Sequence, residues 1–66
     1  MIGVRINGED ASVEEGTVSS FLSSNGYDAS RTAVLLNGRV VRRAELGEVS
    51  LKDGDVMEIV SFVGGG

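Results

Sequence analysis

Apolar and polar residues alternate at the start of the chain, and this alternation predicts a strand over residues 2–7. Successive side chains of a strand point to opposite faces of a sheet, so one face of this strand would carry Ile2, Val4 and Ile6. Asn7-Gly8 is typical of a two-residue hairpin turn, which predicts a returning strand at residues 11–13.

A helical spacing follows the hairpin. Val18, Phe21 and Leu22 lie at positions i, i+3 and i+4 and predict one apolar stripe on a helix over residues 18–25. Thr17 can cap its first turn, and Asn25-Gly26 fits its end. A helix of about two turns does not form alone, so we expect tertiary packing to hold it in place.

The second half of the chain predicts three more strands. They cover residues 33–37, 39–42 and 56–62, and residues 43–47 form a turn or a single helical turn. Asn37-Gly38 joins the third strand to the fourth, as Asn7-Gly8 joins the first pair. The expected core consists of Ile2, Val4, Ile6, Val18, Phe21, Leu22, Val34, Leu36, Leu46, Leu51, Met57 and Ile59.

One helix across one face of a mixed sheet is the economical way to bury these stripes. The last strand is expected beside the first and parallel to it, because the long crossover through the helix permits parallel pairing. The sequence therefore predicts an α+β fold of the β-grasp type, with a five-stranded mixed sheet and one main helix.

Composition and charge argue against several classes of function. The chain has 66 residues, no cysteine and no histidine, which argues against a self-contained hydrolase or metalloenzyme. A net charge of −4 with only six basic residues gives no basic stripe for nucleic acid. No apolar run is long enough to span a membrane and no signal segment opens the chain, so we expect a soluble, cytoplasmic protein.

The end of the chain carries a more specific pattern. A turn at Asp53-Gly54-Asp55 precedes the last strand, and a glycine run, Gly64, Gly65 and Gly66, follows it. This order resembles the thiamine-biosynthesis sulfur carriers of the ThiS family, in the ubiquitin-like ThiS/MoaD superfamily. The opening strand with its Asn-Gly turn and the hairpin at residues 37–41 are also similar, so the likeness covers essentially the whole chain.

The resemblance implies a chemistry for the last residue. An E1-like adenylyltransferase of the ThiF type would use ATP to adenylate the carboxylate of Gly66. Sulfur that comes from cysteine through a desulfurase would then replace AMP and leave a thiocarboxylate. A thiazole synthase of the ThiG type would take this sulfur. The chain itself would be a protein co-substrate that binds no cofactor or metal and is not an enzyme.

We expect residues 1–63 to form the domain and residues 64–66 a flexible tail. Glycines have no Cβ, so such a tail can thread a narrow active site. An ordinary frayed terminus is the competing interpretation of the glycines. Asp53-Gly54-Asp55 is interpreted as a turn, because two carboxylates fall short of the oxygen ligands that calcium needs.

Strand alternation also predicts a docking patch. If Met57 and Ile59 point into the core, Val60 and Phe62 point away from the helix. Leu35, on the neighbouring strand, would join Val60 and Phe62 beside the tail, and we predict that these three residues contact a partner. Scattered apolar residues at a surface are the simpler alternative. The nearby Arg39, Arg42 and Arg43 fit either a solvated hairpin edge or pairing with acidic partner residues.

Three other functions compete with the thiamine sulfur carrier. A carrier for molybdopterin synthesis has the same fold and tail, although that family usually runs longer. A ubiquitin-like modifier would be joined to lysines, and a passive interaction module would not need its glycines. Intact mass after incubation with ATP, an E1-like enzyme and a sulfur source separates these functions.

Overall fold

A computed structural model describes residues 1–62, which form a five-stranded sheet with an α-helix packed on one face. The strands are β1 (Ile2–Ile6), β2 (Glu9–Val13), β3 (Thr32–Leu36), β4 (Arg39–Val41) and β5 (Val56–Ser61). The helix, α1, spans Val18–Ser24, and single-turn 3-10 helices cover Ala29–Arg31 and Arg43–Glu45.

The strand order is β2-β1-β5-β3-β4, so the last strand of the chain lies at the centre of the sheet. β5 runs parallel to β1, with Ile6 opposite Met57, and antiparallel to β3, with Val34 opposite Ile59. The predicted mixed β-grasp sheet is confirmed, including the parallel pairing that the helical crossover permits.

Two Asn-Gly turns close the hairpins and also hold the central strand. Asn7 and Asn37 have φ angles of 50° and 53°, and the glycine after each also has a positive φ, as a type I′ turn requires. The Asn7 carboxamide oxygen accepts a hydrogen bond from the Ile59 N–H at 2.8 Å. The Asn37 oxygen accepts one from the Val56 N–H at 2.9 Å. Each turn therefore bonds to β5 through its side chain, where its own strand has ended.

The helix begins and ends at the predicted signals. The Thr17 hydroxyl accepts a hydrogen bond from the Ser20 N–H at 3.1 Å, which caps the first turn. Asn25 closes the helix, and Gly26 follows it with a φ of 78°. Val18, Phe21 and Leu22 are all buried, so the helix is held by its apolar stripe.

The core lies between α1 and one face of the sheet. Its buried residues are Val4, Val18, Phe21, Leu22, Val34, Leu46, Leu51, Met57 and Ile59. The prediction was wrong in degree for Ile2, Ile6 and Leu36, which are only half-buried at its margin. A helix of seven residues is only about 10 Å long, so it leaves the ends of β1 and β3 partly open.

The sheet therefore has two unlike faces. The covered face, which packs on α1, carries Val4, Val34, Met57 and Ile59. The open face carries the residues of opposite parity, among them Arg5, Leu35, Val40, Glu58 and Val60.

Candidate functional site

Strand β5 leads from the centre of the sheet toward the glycine run. Met57 and Ile59 are 0% and 6% exposed on the covered face, whereas Val60 is 51% exposed on the open face. Phe62 follows the strand, is 62% exposed, and donates its N–H to the Arg31 carbonyl at 2.7 Å. The last described part of the chain is therefore bonded to the body of the protein.

Strand register brings two of the three predicted docking residues, Leu35 and Val60, to one side of the sheet. Ala33 of β3 lies opposite Val60, and Leu35 lies opposite Glu58. Leu35 is half-buried between its two partners, Glu58 on β5 and Val40 on β4. Val60 lies beyond the part of β5 that pairs with β1, and it is exposed. Leu35 and Val60 thus share the open face on adjacent strands, and Phe62 lies just beyond it. Contact with a partner remains a prediction for all three.

Two further apolar residues on this face were not anticipated from the sequence. Val40 lies opposite Leu35 across the second hairpin, and Val56 occupies the same face of β5 as Val60. Both are exposed. The signal was available for Val40: a two-residue turn at Asn37-Gly38 pairs the fourth strand with the third in a fixed register. We call Leu35, Val40, Val56, Val60 and Phe62 the apolar strip.

One charged residue lies inside the apolar strip. Glu58 is exposed on β5, between Val56 and Val60 on the same face, and Leu35 is its partner on β3. Within residues 1–62 its carboxylate makes no hydrogen bond or ion pair. Arg5, on β1, faces the same side but pairs with Asp10 at 3.3 Å. An exposed pair of this kind contributes little to stability.

The arginines at the β4 edge have different surroundings. Arg43 donates to the Ser30 carbonyl at 3.1 Å, which ties the edge to the segment before β3. Arg42 donates its backbone N–H to the Glu45 carboxylate at 3.0 Å. Arg39 and Arg42 are exposed and make no ion pair in the part of the chain that the structure describes. Pairing of these arginines with an acidic partner remains a hypothesis.

A capped turn fixes the carbonyl to which Phe62 bonds. The Asp28 carboxylate accepts from the Ser30 hydroxyl at 2.6 Å and from the Ser30 N–H at 2.9 Å. These two bonds to the charged form hold the pKa of Asp28 below its usual range, with help from the charges of Arg31 and Arg43. The Arg31 N–H in turn donates to the Asp28 carbonyl at 2.9 Å.

The carboxylates of the Asp53-Gly54-Asp55 turn support strands. Asp53 accepts from the Gly3 N–H at 2.8 Å, and Asp55 accepts from the Lys52 N–H at 2.8 Å. Asp55 also accepts from the Asn37 carboxamide at 3.0 Å, so the turn is joined to the second hairpin. Across residues 1–62, no group of three or more metal-ligating side chains is found.

The predicted tail glycines, Gly64, Gly65 and Gly66, lie outside the described residues. The boundary predicted at residue 63 lies there too, and it stays a prediction. Among residues 1–62, no helix is both long and apolar enough to cross a membrane.

Comparison with known proteins gives consistent matches. The profile of the ThiS family matches residues 4–66. A protein of Thermus thermophilus named sulfur carrier protein ThiS is 36% identical over 63 residues, which cover 96% of this chain and 98% of that protein. The crystal structure of a thiamine biosynthesis protein, ThiS, from Geobacter metallireducens superimposes with a TM-score of 0.83 and 33% identity, covering 98% of this chain and all of the other.

A second kind of relative is much longer. A thiazole synthase of Paramagnetospirillum magneticum is 39% identical over 62 residues, which cover 92% of this chain. The present chain spans about a fifth of the length of that synthase, 19%, and 20% of a thiazole synthase from Magnetococcus marinus.

Proposed function

This chain belongs to the ThiS family, and we propose that it is a sulfur carrier protein of thiamine biosynthesis. The observation that carries the proposal is the similarity, over 96% of this chain, to relatives named sulfur carrier protein ThiS. The match in fold to a thiamine biosynthesis protein, ThiS, supports it. On this proposal the chain is a protein co-substrate, and the catalytic groups belong to its partners.

The reacting group of the proposed carrier is the carboxylate of Gly66. A carboxylate at neutral pH is a poor electrophile, so it needs activation before a sulfur nucleophile can attack it. An E1-like enzyme supplies this activation by transferring AMP from ATP to the carboxylate, with release of pyrophosphate. Sulfur derived from cysteine, through a desulfurase, then displaces AMP, and the chain carries a thiocarboxylate.

The shape of the carrier suits this chemistry. Three glycines without Cβ atoms can enter a narrow active site, and three extended residues span roughly 10 Å. A partner that binds the apolar strip would sit beside Phe62, close to the start of the glycine run. The partner would then receive the reacting carboxylate while the folded body stays outside its active site.

Thiazole synthase is the proposed acceptor of the sulfur. Two proteins named thiazole synthase each contain a region 38–39% identical to this chain. A carrier joined to its acceptor in one polypeptide meets it at a high effective concentration. We infer that this carrier domain reaches such an acceptor by docking through its open face.

Two related functions remain as alternatives within the same fold. A molybdopterin-synthesis carrier would form the same thiocarboxylate but deliver it to a different acceptor. A ubiquitin-like modifier would form an isopeptide bond with a lysine. The relatives named for thiamine biosynthesis favour the first proposal over both.

The proposal is tested by loading the chain with sulfur. The wild type is incubated with ATP, the ThiF-type enzyme encoded in the same genome, a cysteine desulfurase and cysteine, and intact mass is followed. We expect ATP-dependent exchange of oxygen for sulfur in the wild type. Deleting Gly66 or adding one residue after it should slow loading about a hundredfold or more, because the reacting carbon moves by more than 1 Å.

The unfolding temperature of both tail variants serves as the control and should match that of the wild type. Equal loading of the deletion, the extension and the wild type would remove Gly66 as the site. A conjugate of high mass in place of the thiocarboxylate would favour the modifier function.

A further inference from the structure

The carboxylate of Glu58 is a charge placed in the middle of the surface that the proposed partner would cover. It is flanked on β5 by Val56 and Val60 and faces Leu35 on β3. In the free chain this side chain is exposed, and water solvates its charge. A protein docked over the apolar strip would remove that water.

Burying an unpaired carboxylate is costly, and burying a paired one is much less so. Arg5, the cation that β1 places on the open face, is already paired with Asp10. Arg43, at the β4 edge, bonds to the Ser30 carbonyl. Within residues 1–62, Glu58 makes no ion pair. Arg39 and Arg42, which also make none in this part of the chain, lie on β4 and just after it, and β3 separates β4 from β5. We therefore expect the compensating charge to come from the docked surface.

We propose that thiazole synthase binds the open face through an apolar patch that carries one lysine or arginine opposite Glu58. This inference rests on the proposed function, since it names the chemistry of the acceptor surface. The strip supplies apolar contact area, whereas the single charge selects the partner. An apolar surface without a cation at this position would leave the carboxylate buried and unpaired, so Glu58 would discriminate against it.

A simpler role for Glu58 predicts the opposite result. A charge within an exposed apolar strip also keeps the free protein from associating. If that were its only role, removing the charge would lower the desolvation cost and tighten binding to the partner. The sign of the change in affinity therefore separates the two roles.

The experiment measures the affinity of the full-length chain for thiazole synthase encoded in the same genome, by calorimetry at constant salt. Glu58→Gln removes the charge and keeps the shape, and we expect it to weaken binding roughly tenfold or more. Glu58→Lys places two cations together and should weaken binding roughly a hundredfold or more. Glu58→Leu should weaken binding as well, although it makes the strip more apolar.

Glu48→Gln is the matched control. Glu48 is also exposed, its side chain makes no hydrogen bond within the described residues, and it lies beside Val49, whose carbonyl bonds to the start of α1. This control should bind as the wild type does. Arg5→Gln tests whether the cation comes from the chain itself, and it too should bind nearly as the wild type does.

Unchanged or tighter binding of Glu58→Gln overturns the inference, as does a loss for Arg5→Gln equal to that for Glu58→Gln. Failure of the wild type to bind the synthase overturns it too. Loading of Gly66 by the adenylating enzyme is measured on the same samples and reports the proposed function independently. If the wild type is loaded with sulfur but Glu58→Gln binds the synthase normally, only the pairing of Glu58 with a cation is refuted, and the proposed function stands.

Discussion

The covered and open faces of the sheet are built from the same five strands and even from alternate residues of the same strand. On β5, Met57 and Ile59 are buried against α1, whereas Val60 is half exposed two strands from the edge. Both faces carry apolar side chains on β5, although the open face also carries Glu58 among them. They differ in what covers them: the chain supplies a helix for one face and, within residues 1–62, nothing for the other.

Because of this difference, the covered face determines the stability of the domain, whereas the open face is available for binding a partner. A 66-residue domain buries only about 60% of its unfolded surface, so it depends on every side chain of the covered face. Apolar residues on the open face add little to that core. Their apolar surface stays in water until a partner covers it, and its burial then contributes about 25 cal/mol per Å² to binding.

Truncating neighbouring side chains on β5 should affect the stability of the protein very differently on the two faces. Ile59→Ala should lower the free energy of unfolding by about 2–5 kcal/mol, because it leaves a cavity under α1. Val60→Ala removes methyl groups from the open face, and it should change the free energy of unfolding by less than about 0.5 kcal/mol. Urea unfolding followed by circular dichroism measures both.

Small domains lie at the low end of the usual range of about 5–15 kcal/mol, so Ile59→Ala can unfold the protein outright. Ile59→Val then serves as the milder variant, with an expected loss of about 0.5–1.5 kcal/mol. Equal losses for Ile59→Val and Val60→Ala would show that the two faces contribute alike to stability.

Much of the fold could be predicted from the sequence because its signals are local. Alternation on β5 gave the parity of Met57 and Ile59, and the Thr17 cap gave the start of α1. The turn chemistry of Asn7-Gly8 gave the first hairpin, although pairing starts at Glu9, two residues earlier than predicted. A type I′ turn has only two residues, so the returning strand pairs at once.

The features that were missed depend on distant contacts. The half-burial of Ile2 and Ile6 follows from how far α1 extends over the sheet, which periodicity does not report. The turn at Ala29–Arg31 depends on the Asp28 cap and has no apolar period. The bonds from Asn7 to Ile59 link residues 52 positions apart and appear only once β5 lies beside β1.

For the docking residues, alternation gave the side of the sheet but not the full extent of the strip. Val40 belongs to it through pairing across the second hairpin. The position of Glu58 among apolar side chains follows from the register in which β5 pairs with β3, which the sequence alone does not give. Gly66 was identified from the resemblance to the ThiS family, and its role is a proposal about chemistry that residues 1–62 do not contain.

Phe62, at the end of the apolar strip, is expected to contribute to partner binding and not to stability. Phe62→Asp should weaken binding to the adenylating enzyme or to thiazole synthase roughly tenfold or more, because it puts an unpaired charge into the interface. The free energy of unfolding should change little, since Phe62 is mostly exposed. Affinity and unfolding are measured on the same preparation.

Phe62→Leu is the control, because it keeps an apolar side chain and the backbone bond to Arg31. It should retain most of the affinity. If Phe62→Asp unfolds the domain, Phe62 belongs to the core and the open face is smaller than described. If it folds and binds as the wild type does, the apolar strip ends at Val60.

The smallest expected effect concerns the turn at Ala29–Arg31, whose Arg31 carbonyl bonds to the Phe62 N–H just after β5. The Ser30 hydroxyl and N–H hold the pKa of Asp28 below its unfolded value, so the charged form stabilises the fold above that unfolded value. This contribution is lost as the pH falls through the lower, folded pKa. Asp28→Asn keeps an oxygen that can accept both bonds but removes the charge. It should therefore lower the Tm slightly at pH 7, and the difference from the wild type should disappear well below about pH 4.

Glu48→Gln is again the control, because its side chain has no bond in the described part of the chain. A difference for Asp28→Asn that stays constant from pH 7 to pH 3 would mean that the shape of the cap, and not its charge, holds the Arg31 carbonyl against Phe62.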